Sequence, residues 1–525
     1  MKDYMKIYQE WLANPYFDDK TKEELRAIAN DENEIKERFY MDLEFGTAGL
    51  RGIIGAGINR MNIYTVRRAT QGLANYIIKQ GGADKGVAIA FDSRHMSPEF
   101  AEEAALTLAA NGIKAYRFET LRPTPELSFA VRELGCIAGI NITASHNPPE
   151  YNGIKFFDAQ GFKLPDAVED EIEAFIVNGG LEGEVAAAEE AAWSAAQAAA
   201  PDAPADATSY LASEIKMPAG AEVGVVIPLE NACDIYIDHA ARSIEDQGIS
   251  FKGLRIALDT GHGASSLTSP EALRRLGAEV IVINDDFDGM DINVQCGSTH
   301  LEPLRALMAE TGADVGIAHD GDADRVMLMA PDGTEIDGDM VEAVCALDMR
   351  ERGVLAGDTV VSTVMCNFGF VRAMKEVGIN VVQTKVGDRY VLEAMREHGY
   401  SIGGEQSGHM ILLDHNSTGD GLMTACQFLA AVIRSGKPVA EAIQVMEKMP
   451  QTLINVRVND KHAVEDSAEV AAAVASAEEA LGEDGRVLLR PSGTEPVVRV
   501  MVEAVDPAAA QAHAEAIAAV VEACV

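Results

Sequence analysis

The sequence predicts an α/β protein in which three related α/β domains are followed by a smaller α+β domain. Three observations carry this expectation. An apolar strand, an amphipathic helix and a second apolar strand recur three times: GVAIAFDSR, PEFAEEAALTLAA and GIKAYRFE from 86; GLRIALDTGHG, SPEALRRL and GAEVIVIN from 253; GDTVVSTVMCN, FVRAMKEV and GINVVQTK from 357. The stretch after 450 departs from this grammar and reads strand, long helix, two strands, helix. The 525 residues also exceed the roughly 250–300 that a single core accommodates.

In chain order, residues 1–40 read as an amphipathic N-terminal helical extension, with Trp11, Leu12, Leu25 and Ile28 as docking points. The first α/β domain is expected over 41–184 and opens on the glycine-rich FGTAGLRGIIGAG (45–57). Residues 185–228 read as an insertion or linker, because 185–207 holds 13 Ala in 23 positions, with Pro201 and Pro204. The remaining α/β domains are expected over 229–330 and 331–448, and the α+β domain over 449–525.

With 43 basic and 83 acidic residues the formal charge is −40, which argues against a nucleic-acid or anionic-membrane surface. A local basic cluster can still receive an anionic small molecule. No stretch reaches the roughly 18–20 apolar residues of a membrane span. The charged start, MKDYMKIYQEWLANPYFDDK, has no apolar signal core. Cys136, Cys233, Cys296, Cys345, Cys366, Cys426 and Cys524 are scattered without a CxxC pair, as expected of reduced cytoplasmic thiols. Glycine-rich DTGHGASS (259–266) lacks the third glycine of a dinucleotide loop.

Four segments carry chemistry. In ITASHNPPEYNGIKFF (142–157), two prolines stiffen the loop after Ser145 and His146, so a hydroxyl sits beside an imidazole as a candidate nucleophile. Lys155 follows on a short strand that can return beside the loop. In ADVGIAHDGDADRVMLM (313–329), Asp320, Asp322 and Asp324 alternate after an apolar strand, and an extended loop would turn all three to one side. Three adjacent carboxylates repel, so they favour a divalent cation. Hard oxygen ligands too few for a closed cage fit Mg²⁺ with positions left for phosphate oxygen. In GGEQSGHMILLD (403–414), Glu405, Ser407 and His409 alternate and suit the hydroxyl face of a sugar. In RVLLRPSGTEPVVRVMVEA (486–504), Arg490, Ser492, Gly493 and Thr494 offer a guanidinium, two hydroxyls and freed backbone N–H groups to a phosphate.

Taken in this order, TASHNP, DGDADR, GEQSGH and RPSGTEP resemble the α-D-phosphohexomutase superfamily, over nearly the whole chain. The resemblance implies four domains around one central cleft. It implies that Ser145 is carried as phosphoserine, and that one Mg²⁺ is held by the seryl phosphate with Asp320, Asp322 and Asp324. It implies that Arg325, Lys155 and His146 lie near the transferring phosphoryl group, leaving open which of Lys155 and His146 is the acid or base. Arg51 and Lys385 are further implied substrate contacts. Residues 1–150 resemble the bacterial phosphoglucomutase and phosphopentomutase branch, through FGTAGLRG, FDSRHMSPEFAEEAA and LRPTPELSFAVRELG. From about 153 onward the chain resembles phosphoglucosamine mutases, through DINVQCGSTH, TVMCNFGF, TKVGDRYV and GGEQSGHMILLDHNSTGDG.

The implied activity is transfer of a phosphoryl group between O6 and O1 of a hexose, with glucosamine 6-phosphate and glucosamine 1-phosphate expected as the pair. A sugar 1,6-bisphosphate is the expected activator, and the enzyme is expected in the cytoplasm as a monomer or homodimer. Glucose phosphate or a pentose phosphate is the alternative substrate. A different class, an aspartyl phosphatase using Asp320 and Asp322, is disfavoured by Asp324, where such motifs carry Thr or Val. A non-catalytic sugar-phosphate binder is disfavoured because nucleophile and metal loop are both intact.

Overall fold

Each of the three strand–helix–strand units folds as its pattern predicts, at Val87–Phe91, Ser97–Ala110 and Ala115–Phe118; Arg255–Asp259, Ser269–Arg275 and Glu279–Ile283; and Thr359–Thr363, Phe368–Glu376 and Asn380–Thr384. The leading strands are almost wholly buried, each paired in parallel with a neighbour on either side. The computed structural model describes residues 3–46, 49–178, 224–230, 232–458, 464, 467–491 and 497–524. The Ala/Pro-rich stretch 185–207 and three of the expected phosphate contacts, Ser492, Gly493 and Thr494, lie outside the described residues.

Four sheets result. The first has seven strands in the order Phe45–Gly46, Gly49–Ile53, Tyr151–Asp158, Ala138–Ile142, Val87–Phe91, Ala115–Phe118 and Val226–Leu229. Its last strand comes from the end of the stretch read as linker, so part of that stretch completes the first sheet. The second sheet has five strands, Glu335–Ile336, Val326–Met329, Val315–His319, Arg255–Asp259 and Glu279–Ile283. The third has four, Asn380–Thr384, Thr359–Thr363, Ile402–Gly404 and Met410–Leu412. The fourth is an antiparallel triplet, Gln451–Arg457, Val497–Ala504 and Gly485–Pro491, covered by helices Ala468–Leu481 and Pro507–Ala523.

The N-terminal extension is three short helices, Tyr4–Ala13, Asp19–Ala27 and Glu32–Phe39. Asp3, Asp18 and Asp31 cap them in turn and divide the segment. Trp11 and Leu25 are buried, and Leu12 and Ile28 partly so. Trp11 stacks on Phe17 at 4.0 Å and meets Phe39 and Tyr64 edge-on, each at 5.6 Å. Such ring pairs add about 0.5–1.5 kcal/mol each beyond area burial. Tyr64 belongs to helix Ile63–Lys79, so these contacts fasten the extension to the first domain. The cores of the second and third domains are continuous. Helix Gly421–Ser435 packs on both Ala232–Glu245 and Gly338–Glu351, and Tyr236, Val344 and Phe428 belong to that one core. Among the described residues no helix is long and apolar enough to cross a membrane.

Candidate active site

Three of the four chemical segments leave the carboxyl ends of parallel strands: the Ser145 loop after Ala138–Ile142, the aspartate loop after Val315–His319, and the Glu405 turn after Ile402–Gly404. That edge is where open α/β sheets bind ligands. Ser145 has a positive φ of 53°, a conformation stabilised by its own N–H donating to Thr143 Oγ1 at 2.9 Å. Its hydroxyl donates to Asp320 Oδ2 at 2.9 Å and lies 3.3 Å from His146 Nδ1. Serine hydroxyl, imidazole and aspartate loop are therefore brought together. Gly321 is required at the join, because a Cβ there would sit 2.7 Å from the Ser145 carbonyl oxygen.

Asp320, Asp322 and Asp324 are buried, and one oxygen of each lies within 4.8 Å of the others. The route to this convergence differs from the extended loop expected. The chain turns, with the Ala323 N–H donating to the Asp320 carbonyl at 3.1 Å and Ala323 at φ 56°. Lys155 Nζ donates to Asp322 Oδ2 at 2.7 Å and lies 3.6 Å from Asp324. It reaches them because strand Tyr151–Asp158 runs antiparallel to Ala138–Ile142, placing Lys155 opposite Asn141. The change of branch resemblance near 150–153 falls inside this strand, which pairs without interruption.

The electrostatics of the loop are divided. Burial, reinforced by Asp324 and Asp322, pushes Asp320 well above the usual carboxylate range. Burial also acts on Asp322 and Asp324 but is outweighed, for Asp322 by Lys155 and Thr124, and for Asp324 by Lys155, His409, Lys163 and Arg325. Both are held below the ordinary value. Burial, then the Arg325 and Arg51 charges, push His146 down to about 4, so the imidazole is neutral at pH 7. Asp322 Oδ1 and Asp324 Oδ1 are buried without a hydrogen-bond partner. Orphaned buried carboxylate oxygens beside a third carboxylate and a serine hydroxyl are a donor set that fits a hard divalent cation.

The other expected residues fall at different distances from this centre. Arg325 lies 4.0 Å from Asp324, and its N–H donates to Asp320 Oδ1 at 3.1 Å. Arg51 is held by Asn147 Oδ1 at 3.4 Å, and its buried Nε has no hydrogen-bond partner. Glu405, Ser407 and His409 do not form one alternating face. The segment is a closed hairpin turn, with the Gly408 N–H donating to the Glu405 carbonyl at 2.9 Å and Gly408 at φ 89°. Ser407 is exposed and Glu405 half-buried. His409 is buried with Nε2 3.8 Å from Asp324 and 3.5 Å from Asp388, so it belongs to the aspartate loop's surroundings. Glu405 accepts the Gly387 N–H at 3.2 Å, which brings the exposed Lys385 loop to the turn. Arg490, at the end of Gly485–Pro491 and opposite Arg499, makes no hydrogen bond or ion pair with the serine–aspartate cluster.

Several side chains around the site escape sequence reasoning. Arg94 is fully buried and donates to four carbonyls of the serine loop: Ser145 and Asn147 at 2.7 Å, Pro148 at 2.6 Å and Tyr151 at 3.0 Å. Asp92 balances it at 3.0 Å. Asn293, from the second domain, donates to the Ser145 and Asn147 carbonyls at 2.9 and 3.1 Å. Thr124 Oγ1 donates to Asp322 Oδ2 at 2.6 Å, and Lys163 pairs with Asp388. Arg94→Met should cost about 3–5 kcal/mol, because Asp92 is left buried and unpaired. Adding Asp92→Asn should return much of the melting temperature but little of the activity, since the Arg94 bonds to the loop stay missing and Asn293 alone still holds the Ser145 and Asn147 carbonyls. Full recovery of turnover in the double variant would show that Arg94 serves stability alone.

Comparison with known proteins bears on the domains and on the family. Residues 42–181, 234–333 and 337–449 match the family domains described as phosphoglucomutase/phosphomannomutase alpha/beta/alpha domains I, II and III. Residues 453–520 match the C-terminal domain of the same family. The phosphoglucosamine mutase of Thermobifida fusca is 45% identical over 480 residues, covering 91% of this chain and 97% of that protein. That of Streptomyces coelicolor is 44% identical over 466 residues, covering 88% and 95%. These alignments are too long to omit most of the first domain. Among solved structures, a phosphoglucomutase/phosphomannomutase family protein from Burkholderia thailandensis superposes with a TM-score of 0.73 at 24% identity, covering 92% of this chain and 98% of that one. An N-acetylphosphoglucosamine mutase from Aspergillus fumigatus, solved with GlcNAc-6P and magnesium, gives 0.60 at 18% identity, covering 92% and 96%. The chain belongs to the phosphoglucomutase/phosphomannomutase family, whose members are isomerases of phosphosugars.

Proposed function

We propose that the protein interconverts glucosamine 6-phosphate and glucosamine 1-phosphate through a phosphoserine at Ser145. The observation that carries the chemistry is the serine hydroxyl 2.9 Å from one of three convergent buried carboxylates. The choice of sugar rests on the 45% identity to a phosphoglucosamine mutase across 91% of the chain. In this reading the Ser145 phosphate passes to the free hydroxyl of the sugar phosphate. The serine O–P bond breaks as the sugar O–P bond forms, giving a 1,6-bisphosphate. The bisphosphate turns over, and Ser145 takes back the other phosphoryl group.

Asp320, Asp322, Asp324 and the seryl phosphate would hold one Mg²⁺, which when bound supplies charge stabilisation at the phosphoryl oxygens. The chain's own groups do the rest. Lys155, paired to Asp322, balances the carboxylates on the side of the cluster that faces the serine strand. Lys155 and His146, the latter 3.3 Å from Ser145 Oγ, are the two groups placed to take the proton of the attacking hydroxyl and return it to the leaving oxygen. Arg51 and Arg325 attract the phosphoryl group. Glu405 and Ser407 take the ring, and Arg490 with Ser492, Gly493 and Thr494 takes the phosphate that is not reacting. Positioning supplies most of the acceleration. A cytoplasmic location accords with seven free cysteines.

The test is a side-by-side assay of glucosamine 6-phosphate, glucose 6-phosphate and ribose 5-phosphate, with Mg²⁺ and the matching bisphosphate present. We expect kcat/KM at least about tenfold higher for the amino sugar, a difference of about 1.4 kcal/mol that one hydrogen bond to the ring can supply. Preference for glucose or ribose phosphate would show that the first domain sets the substrate.

A further inference from the structure

Away from the serine–aspartate cluster, a run of buried polar contacts joins the third domain to the fourth. Asn367 is fully buried at the start of helix Phe368–Glu376, where its Oδ1 accepts the Gly369 N–H at 2.9 Å. A capping asparagine needs no more than this. Here Oδ1 also accepts the Met449 N–H at 2.9 Å, and Nδ2 donates to the Met449 carbonyl at 3.1 Å and to Glu503 Oε1 at 3.0 Å. Met449 immediately precedes Pro450 and the first strand of the C-terminal domain, so the amide grips the passage between domains.

The contacts extend in both directions. On one side the Asn367 N–H donates to Asp339 Oδ2 at 2.7 Å, and the same oxygen accepts Gln406 Nε2 at 3.0 Å. The Gln406 carbonyl accepts the Gly338 N–H at 3.0 Å. Gln406 stands between Glu405 and Ser407, so the turn proposed to hold the sugar ring is fixed at its centre. On the other side Glu503, also fully buried, accepts Arg486 Nε at 2.6 Å and the Phe368 N–H at 3.2 Å. Glu503 lies on strand Val497–Ala504, which pairs with the strand carrying Arg490.

We propose that Asn367 is a positioning residue that couples the seat of the C-terminal domain to the hairpin 402–412, so that the strand bearing Arg490 and the turn at Glu405 are set together. What these two elements hold rests on the phosphosugar reading above; the mechanical link does not. Amide hydrogen exchange on the full chain tests that link, with Asn367→Ala and Glu503→Gln compared against wild type. We expect exchange in 402–412 to quicken about tenfold in both variants, although neither residue lies in the hairpin. Faster exchange confined to helix 368–376 would reduce Asn367 to a helix cap and overturn the proposal.

Kinetics give a second reading. Asn367→Ala and Gln406→Ala should each raise KM for the sugar phosphate more than they lower kcat, and the double variant should be no worse than the poorer single one. Losses that multiply would mean two independent roles and no coupling. Should Asn367→Ala not fold, Glu503→Gln carries the exchange test alone, since it alters one acceptor of the Asn367 amide and leaves the Met449 contacts in place. Hairpin exchange unchanged in Glu503→Gln counts against coupling. Wild-type protein inactive on every sugar phosphate would defeat the phosphosugar reading while leaving the exchange result to stand.

Discussion

Ser145→Ala is expected to abolish steady-state turnover, by at least about a thousandfold, while leaving the melting temperature close to wild type. The hydroxyl is buried, yet its only strong contact is the bond to Asp320, whose carboxylate the proposed metal would hold independently. The loop around it is fixed by backbone contacts to Arg94 and Asn293, which the substitution does not touch. No other hydroxyl contacts Asp320, so none is placed to substitute as nucleophile among the described residues. Protein isolated from cells should carry a single phosphate in part of the wild type and none on the alanine variant. Near-normal steady-state activity in the variant would reject the assignment.

Asp322→Asn is expected to lower kcat by about a hundredfold or more and to weaken the dependence on Mg²⁺. The substitution removes one hard ligand and one charge. It also takes the carboxylate from Lys155 at 2.7 Å and puts an amide where Thr124 donates at 2.6 Å, so the NH₂ group must turn away from both. Adding MgCl₂ should raise the melting temperature of the wild type, because the ion binds the folded chain alone. The asparagine variant should show a smaller rise. Equal Mg²⁺-induced shifts, or wild-type activity undiminished by chelator, would show that the three aspartates hold no functional metal.

The features legible in the sequence are those whose cause is local. The α/β units could be read because apolar strands and amphipathic helices repeat within about thirty residues. The aspartate loop could be read because a strand as apolar as VGIA belongs in a core, and three acids at its end then need a counter-charge. Its geometry could not, because a turn with Ala323 at positive φ brings the carboxylates together as effectively as an extended loop. The same limit applies at 405–409, where alternation in sequence suggested one face and a hairpin turn separates buried His409 from exposed Ser407.

What sequence reasoning missed is long-range and charged. Nothing local to the sequence distinguishes Arg94, and only the fold brings four carbonyls to it. Thr124 and Asp322 are 198 residues apart, Asn293 and Ser145 are 148 apart, and Lys163 and Asp388 are 225 apart. No local pattern announces such partners. Their burial is what makes them matter, since an unpaired group at these depths would carry a desolvation cost of about 1–3 kcal/mol or more.

The measurement that tests the central claim most directly is transfer of a single phosphoryl group from enzyme to sugar. Protein loaded with a labelled sugar 1,6-bisphosphate and freed of small molecules should carry one phosphate, mapped by peptide mass to Ser145. Mixed with an equal amount of glucosamine 1-phosphate in Mg²⁺, it should lose that phosphate in a single turnover, with the label recovered in glucosamine 1,6-bisphosphate. Label mapped to Asp320, or released as inorganic phosphate without reaching the sugar, would contradict the mutase account and point to an aspartyl phosphatase.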